Sequence, residues 1–177
     1  MPKASLDTLD GTYSFCARCP SHSNCCVRVK PNGQISPPIL LGEEIAAIAK
    51  HSNESPEAFS ETREGSDETR AMKPSHHGCY FYRDGKCSIY QVRPLDCRLF
   101  PIDIMEKSNG SIVWIAYTQV CPVKFDIASC LEKAKRLLPE LRNYVREYAR
   151  AEAPWMTGEP YVELETISPP SEVTNPA

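Results

Sequence analysis

The chain has 177 residues, 41% of them hydrophobic, with 16 prolines and a formal net charge of -3. This length suits one domain able to bury roughly two-thirds of its unfolded surface. The slight negative charge excludes the broad basic field that draws nucleic acid, so no nucleic-acid partner is expected.

Residues 1–12 are polar and are predicted to be loose. They contain no apolar signal core, and no stretch of the chain approaches the 18 consecutive apolar residues of a membrane span. The expected address is therefore the cytoplasm, with no membrane partner, where thiols stay reduced. Residues 13–26 hold a first cysteine cluster, Cys16-Ala17-Arg18-Cys19 followed by Cys25-Cys26, with turn-forming proline and serine between. Val27–Lys30 alternates like a short strand, and Pro31-Asn32-Gly33 turns.

Pro37-Pro38 is read as opening a helical stretch in which Leu41, Ile45 and Ile48 share a face. Between Pro56 and Pro74 a short helix near 56–63 is expected, then loop. Asp84-Gly85 between aromatic flanks predicts a hairpin with Cys79 and Cys87 on its paired strands. Arg93-Pro94 turns toward Cys97. A second hairpin is predicted from Ile102–Glu106 and Ile112–Tyr117 around Asn109-Gly110. Residues 126–152 form the clearest helix, with Ile127, Leu131, Ala134, Leu138, Leu141, Val145 and Tyr148 on one stripe and Pro139 as a kink or break. From Pro154 the chain is rich in proline and serine. The expected organisation is a flexible N-terminus (1–12), a cysteine-cluster domain (13–153) and a tail (154–177). The fold class is α+β: a small irregular metal-stabilised domain with two β-hairpins and a long C-terminal helix.

There are nine cysteines, at 16, 19, 25, 26, 79, 87, 97, 121 and 130. The odd count and the absence of an export signal argue against a disulfide framework. Thiolates are soft donors suited to zinc and to iron–sulfur clusters, and both usually take four protein ligands. Cys16, Cys19, Cys25 and Cys26 make one group of four, and Cys79, Cys87, Cys97 and Cys121 a second. Eight ligands make two sites, or one site with spare thiols; spacing does not assign them. Cys130 borders the apolar helix stripe and is read as a core residue. His22, His51, His76 and His77 are expected to face solvent. Arg93 and Arg98 flank Cys97, either as ion pairs or to offset thiolate charge and grip an anionic partner. Glu43-Glu44 suits the first turn of a helix. No phosphate loop, nucleophile elbow or His-Glu-x-x-His motif is present.

Cys16-x-x-Cys19, Cys25-Cys26, Cys79, Gly85-Lys86-Cys87-Ser88-Ile89-Tyr90, Arg93-Pro94-x-x-Cys97-Arg98-x-Phe100-Pro101 and Cys121-Pro122 together resemble the YkgJ-type cysteine-cluster family of zinc- or iron-chelating domains. The resemblance spans about residues 13–125, with a Cys19–Cys25 gap longer than the family's usual one. It implies metal binding. A related branch, the flagellin lysine N-methylases, carries an iron–sulfur cluster and uses S-adenosylmethionine, so the resemblance favours a cluster of the [4Fe–4S] form over zinc. The expected role is structural, electron-carrying or accessory to an enzyme. Structural zinc in an adaptor for a protein partner is the competing expectation. A third is an enzyme with an open metal position beside a pocket lined by Tyr90, Arg93 and Arg98.

Overall fold

The computed structural model describes residues 38–62, 69–75, 78–84, 86–118, 124–141 and 161–167, together with Val145, Tyr148 and Ala149. Within them the architecture is α+β, as expected: small antiparallel sheets with helices packed against them.

Strand β1 (Ile39–Leu41) precedes helix α1 (Gly42–Ser52). Pro38 thus leads into a strand, not directly into the expected helix. The triplet Ile-Leu-Leu is buried throughout, and alternation sends its neighbours to opposite faces. Ile39 and Leu41 join one core cluster, while Leu40 joins another. Helix α1 starts where Glu44 reaches back to accept the Leu41 N–H at 2.9 Å, the carboxylate half of a capping box. It ends at Asn53, whose φ of 57° is the left-handed stop that asparagine tolerates.

Helix α2 (Pro56–Phe59) is shorter than expected, and strands β2 (Ser60–Thr62) and β3 (Thr69–Met72) occupy part of the stretch read as helix and loop, residues 63–68 lying outside the described residues. The sheet order is β1-β3-β2, with Ile39 opposite Ala71 and Ser60 opposite Met72. These strands are three or four residues long and carry no clear alternation, so local pattern does not reveal them. Pairing of β1 and β2 with the central strand β3 stabilises them.

Strand β4 (Pro74–Ser75) pairs with β5 (Gly78–Cys79), and β6 (Tyr82–Arg83) with β7 (Lys86–Cys87). The hairpin at Asp84 is present, and Asp84 takes a positive φ of 51°. It corrects one expectation: Cys87 lies opposite Tyr82, whereas Cys79 lies opposite Pro74 in a separate ladder. The two thiols do not share one strand pair, because Tyr80 and Phe81 turn the chain between ladders.

Helix α3 (Leu95–Leu99) leads into β8 (Ile102–Glu106) and β9 (Ile112–Tyr117), the second expected hairpin with the expected boundaries. Gly110, at φ 80°, makes the turn, and its N–H bonds to the Lys107 carbonyl at 2.8 Å. Ile102, Ile104, Ile112, Trp114 and Ala116 face the main core, while Met105, Val113, Ile115 and Tyr117 form another cluster with Phe100. Both faces are thus buried, which explains the continuous apolar run in β9.

Helix α4 (Ile127–Leu141) contains Pro139, and Val145, Tyr148 and Ala149 are helical beyond it. Cys130, Ala134 and Leu137 are its most buried positions, and Ile127, Leu131 and Leu138 pack alongside. The core reading of Cys130 holds: the residue is 3% exposed. Strand β10 (Tyr161–Ile167), within the stretch read as a tail, pairs antiparallel with β9 and gives a sheet of order β10-β9-β8. Its alternation is weak, with Ile167 buried and most of the strand on the surface, so the flanking prolines dominate the local signal.

Candidate metal centre

Three of the eight proposed ligands fall among the described residues: Cys79, Cys87 and Cys97. Cys16, Cys19, Cys25, Cys26 and Cys121 lie outside them, as do His22, His76 and His77. Cys79, Cys87, Cys97 and Cys130 carry thiols, not disulfides. Among the described residues no three histidine, cysteine or acidic side chains gather around one point. Cys79, Cys87 and Cys97 therefore do not by themselves make a site.

The Asp84 hairpin places Cys87 at the edge of the core cluster formed by Phe59, Phe81, Ile89 and Met72. The Ser88 N–H and hydroxyl both donate to the Phe81 carbonyl, at 2.9 and 3.1 Å, which closes the hairpin base. The chain then turns through Tyr90–Val92, with the Val92 N–H on the Ile89 carbonyl at 2.9 Å. This turn aims the Ile89 N–H at the Cys87 sulfur and brings Arg93 close enough to act on its charge. Burial pushes the Cys87 thiol above its ordinary pKa, and the amide and the guanidinium offset only part of that rise. A bound cation would supply the missing charge and replace the proton. The amide donor and the cationic neighbour suit a metal-bound thiolate, so the donor set fits a soft metal.

Arg93 lies over the Tyr90 ring, 4.1 Å from its centroid. The Tyr90 hydroxyl is buried and has no hydrogen-bond partner among the described residues. The outer side of the hairpin is tied to the end of α1 by Glu54. That carboxylate accepts the Tyr80 hydroxyl at 2.7 Å and meets Arg83 at 3.4 Å.

Cys97 rides on α3, half-buried, and α3 is held from several sides. Glu44 accepts the Leu95 N–H at 2.5 Å, and Asp96 accepts the Ile39 N–H at 2.8 Å. Arg98 forks onto Glu140 of α4 at 2.6 and 2.8 Å. The ion pair weighed for Arg98 is present, with Glu140 as its partner. Glu44 is the residue that sequence reasoning undervalued. It lies in the first turn of α1 as expected, but it also caps that helix and binds α3, and burial raises its pKa to about 7 against the pull of both amides. The Asp96 charge adds to that rise, and Arg98 opposes it. Only the tertiary approach of α3 creates this second contact.

Residues 15–122, more than half of the chain, match the CxxCxxCC family, described as "Putative zinc- or iron-chelating domain". The chain belongs to this family. No curated protein and no solved structure matches it. The match encloses the eight proposed ligands, and Cys130 lies beyond it. No helix among the described residues is long and apolar enough to cross a membrane.

Proposed function

We propose that this chain carries an iron–sulfur cluster of the [4Fe–4S] form on four of Cys16, Cys19, Cys25, Cys26, Cys79, Cys87, Cys97 and Cys121. Its role is structural, electron-carrying or accessory to an enzyme. The supporting observation is the setting of Cys87. Partial burial raises its thiol pKa, while the Ile89 amide and the Arg93 guanidinium act in the opposite direction and favour the charged sulfur. Both neighbours favour an anionic sulfur centre, and hydrogen bonds of this kind help to set cluster potentials. Arg93 offsets the negative charge of the sulfurs, and α3 holds Cys97 at a fixed position. The cluster, when bound, would supply one-electron chemistry or a rigid cross-link between distant segments.

Protein purified without oxygen tests this reading. Stoichiometric iron and acid-labile sulfide, with a broad visible absorption, are expected. A colourless protein with stoichiometric zinc would overturn the cluster and leave the zinc-stabilised adaptor, since zinc has no redox chemistry.

A further inference from the structure

We infer that Glu44 and Asp96 are positioning residues of the metal centre: together they fix the rotation of α3 and so the place of the Cys97 sulfur. The inference rests on the reading of Cys97 as a ligand and deepens it, because it names the side chains through which that sulfur is held. Helix α3 has five residues, Leu95–Leu99. A helix so short has too few internal hydrogen bonds to hold its own shape and direction. Pro94 stands at its N-cap, where a side-chain acceptor would ordinarily take a first-turn amide, and supplies none. Glu44, 51 positions earlier, takes that place: its Oε1 accepts the Leu95 N–H at 2.5 Å. Its other oxygen accepts the Leu41 N–H at 2.9 Å, at the start of α1. Asp96 bonds in the opposite direction, from α3 to β1, where its Oδ2 accepts the Ile39 N–H at 2.8 Å. Two carboxylates thus tie one end of α3 to the β1–α1 junction, and Asp96 is fully buried in doing so.

These bonds supply what packing does not. Leu95 and Leu99 anchor one face of α3 in the main core. Cys97 lies two residues from each of them, about 200° around the helix axis, and it is half-buried. Apolar contact is non-directional, so two leucines keep the helix on the core but tolerate its rolling. A roll would carry the Cys97 side chain sideways. Hydrogen bonds are directional, so those of Glu44 and Asp96 oppose that roll, and the fork of Arg98 on Glu140 opposes it from the side of α4. A metal accepts its ligands only within a narrow range of distances. Groups that orient a ligand therefore count in affinity, although they never touch the metal.

Full-length protein, purified without oxygen with the metal it carries, tests this by chelator competition and by X-ray absorption at the metal edge. Glu44→Ala should lower metal affinity by about tenfold to a hundredfold. In the fraction still loaded, it should spread the metal–sulfur distances or remove one sulfur neighbour. Glu44→Gln keeps a carbonyl oxygen for one amide and should recover part of the affinity; Asp96→Asn should behave in the same way. Ile167→Ala, which opens the main core from β10, is the control. It should lower the melting temperature and leave the sulfur shell as in wild type. If Glu44→Ala does not fold, Glu44→Gln and Asp96→Asn carry the same comparison. A wild-type sulfur shell in the Glu44 and Asp96 variants, with affinity lost only in step with melting temperature as in Ile167→Ala, overturns the inference and leaves Cys97 a ligand. Cys97→Ser with unchanged affinity and sulfur shell overturns the reading of Cys97 itself, and this inference with it. Protein that carries no metal overturns both.

Discussion

Glu44 is a carboxylate that holds two segments together at the cost of its own charge. Its oxygens accept amides from Leu41 and Leu95, and burial lifts its pKa from 4.5 to about 7. A raised acid pKa means that the folded state binds the proton more tightly. The associated stability is fully present below the unfolded value near 4.5 and is lost as pH rises through about 7. The span corresponds to roughly 3 kcal/mol. Glu44→Gln should flatten this slope in urea unfolding, compared with wild type at equal metal loading so that thiol titration cancels. The amide also surrenders one acceptor, so the variant should be weaker by about 1–3 kcal/mol even at low pH. A slope unchanged by the substitution would place the titration elsewhere. Cysteines separate in the same way. Cys87→Ser should lose bound metal and most thermal stability, because serine replaces a soft anionic donor. Cys130→Ser, at a 3% exposed core position, should keep its metal and lose about 1–3 kcal/mol. Metal analysis beside thermal melts distinguishes the two.

Strand β1 does more than its three residues suggest. It pairs with β3, and its alternation supplies Ile39 and Leu41 to one core cluster and Leu40 to another. Its Ile39 N–H also bonds Asp96, next to Cys97. Strand β10 is the complementary case at the other end of the described chain. It covers the edge of β9 through Tyr161 opposite Tyr117 and Ile167 opposite Ile112. Lys107 meets Glu163 at 2.7 Å, and Lys135 meets Glu165 at 2.6 Å, which fastens the strand from the β8–β9 turn and from α4. These pairs are partly exposed, so solvent screens them and they contribute little; the larger contribution is edge coverage. Truncation before Tyr161 should lower the melting temperature and promote aggregation, as a long apolar edge is uncovered. Light scattering during a thermal ramp reads both effects, and a truncated protein as stable and monodisperse as the full chain would contradict this account.

At the scale of the molecule, the described residues form linked clusters, not one large core. The main cluster joins α3, α4 and the β8–β9 hairpin, and the second surrounds Met72, Cys79 and Phe81. Short strands of two to four residues add little stability alone. Metal bound by cysteines from distant parts of the chain would add cross-links that these ladders lack. Removal of metal with a strong chelator should therefore cause a large loss of structure, with an apparent contribution on the order of 10 kcal/mol from the metal. Circular dichroism before and after chelation, followed by restoration with iron and sulfide or with zinc, measures it. Full ellipticity and an unchanged melt after complete metal loss would show that packing alone suffices.

The residues alone determined the chemical class of this protein and its strongest local elements. Nine cysteines in a patterned chain announce soft-metal chemistry, and the Asn109-Gly110 turn and the Ile127–Leu141 periodicity mark a hairpin and a helix, because these signals are local. Tertiary structure decided the rest. It stabilised β1, β3 and β10 through partners distant in sequence, separated Cys79 from the Cys87 hairpin, and drew Glu44 onto α3. It also brought the Met72 and Cys79 sulfurs together. Short strands and buried polar contacts depend on what approaches across space, and no window of neighbouring residues contains that information.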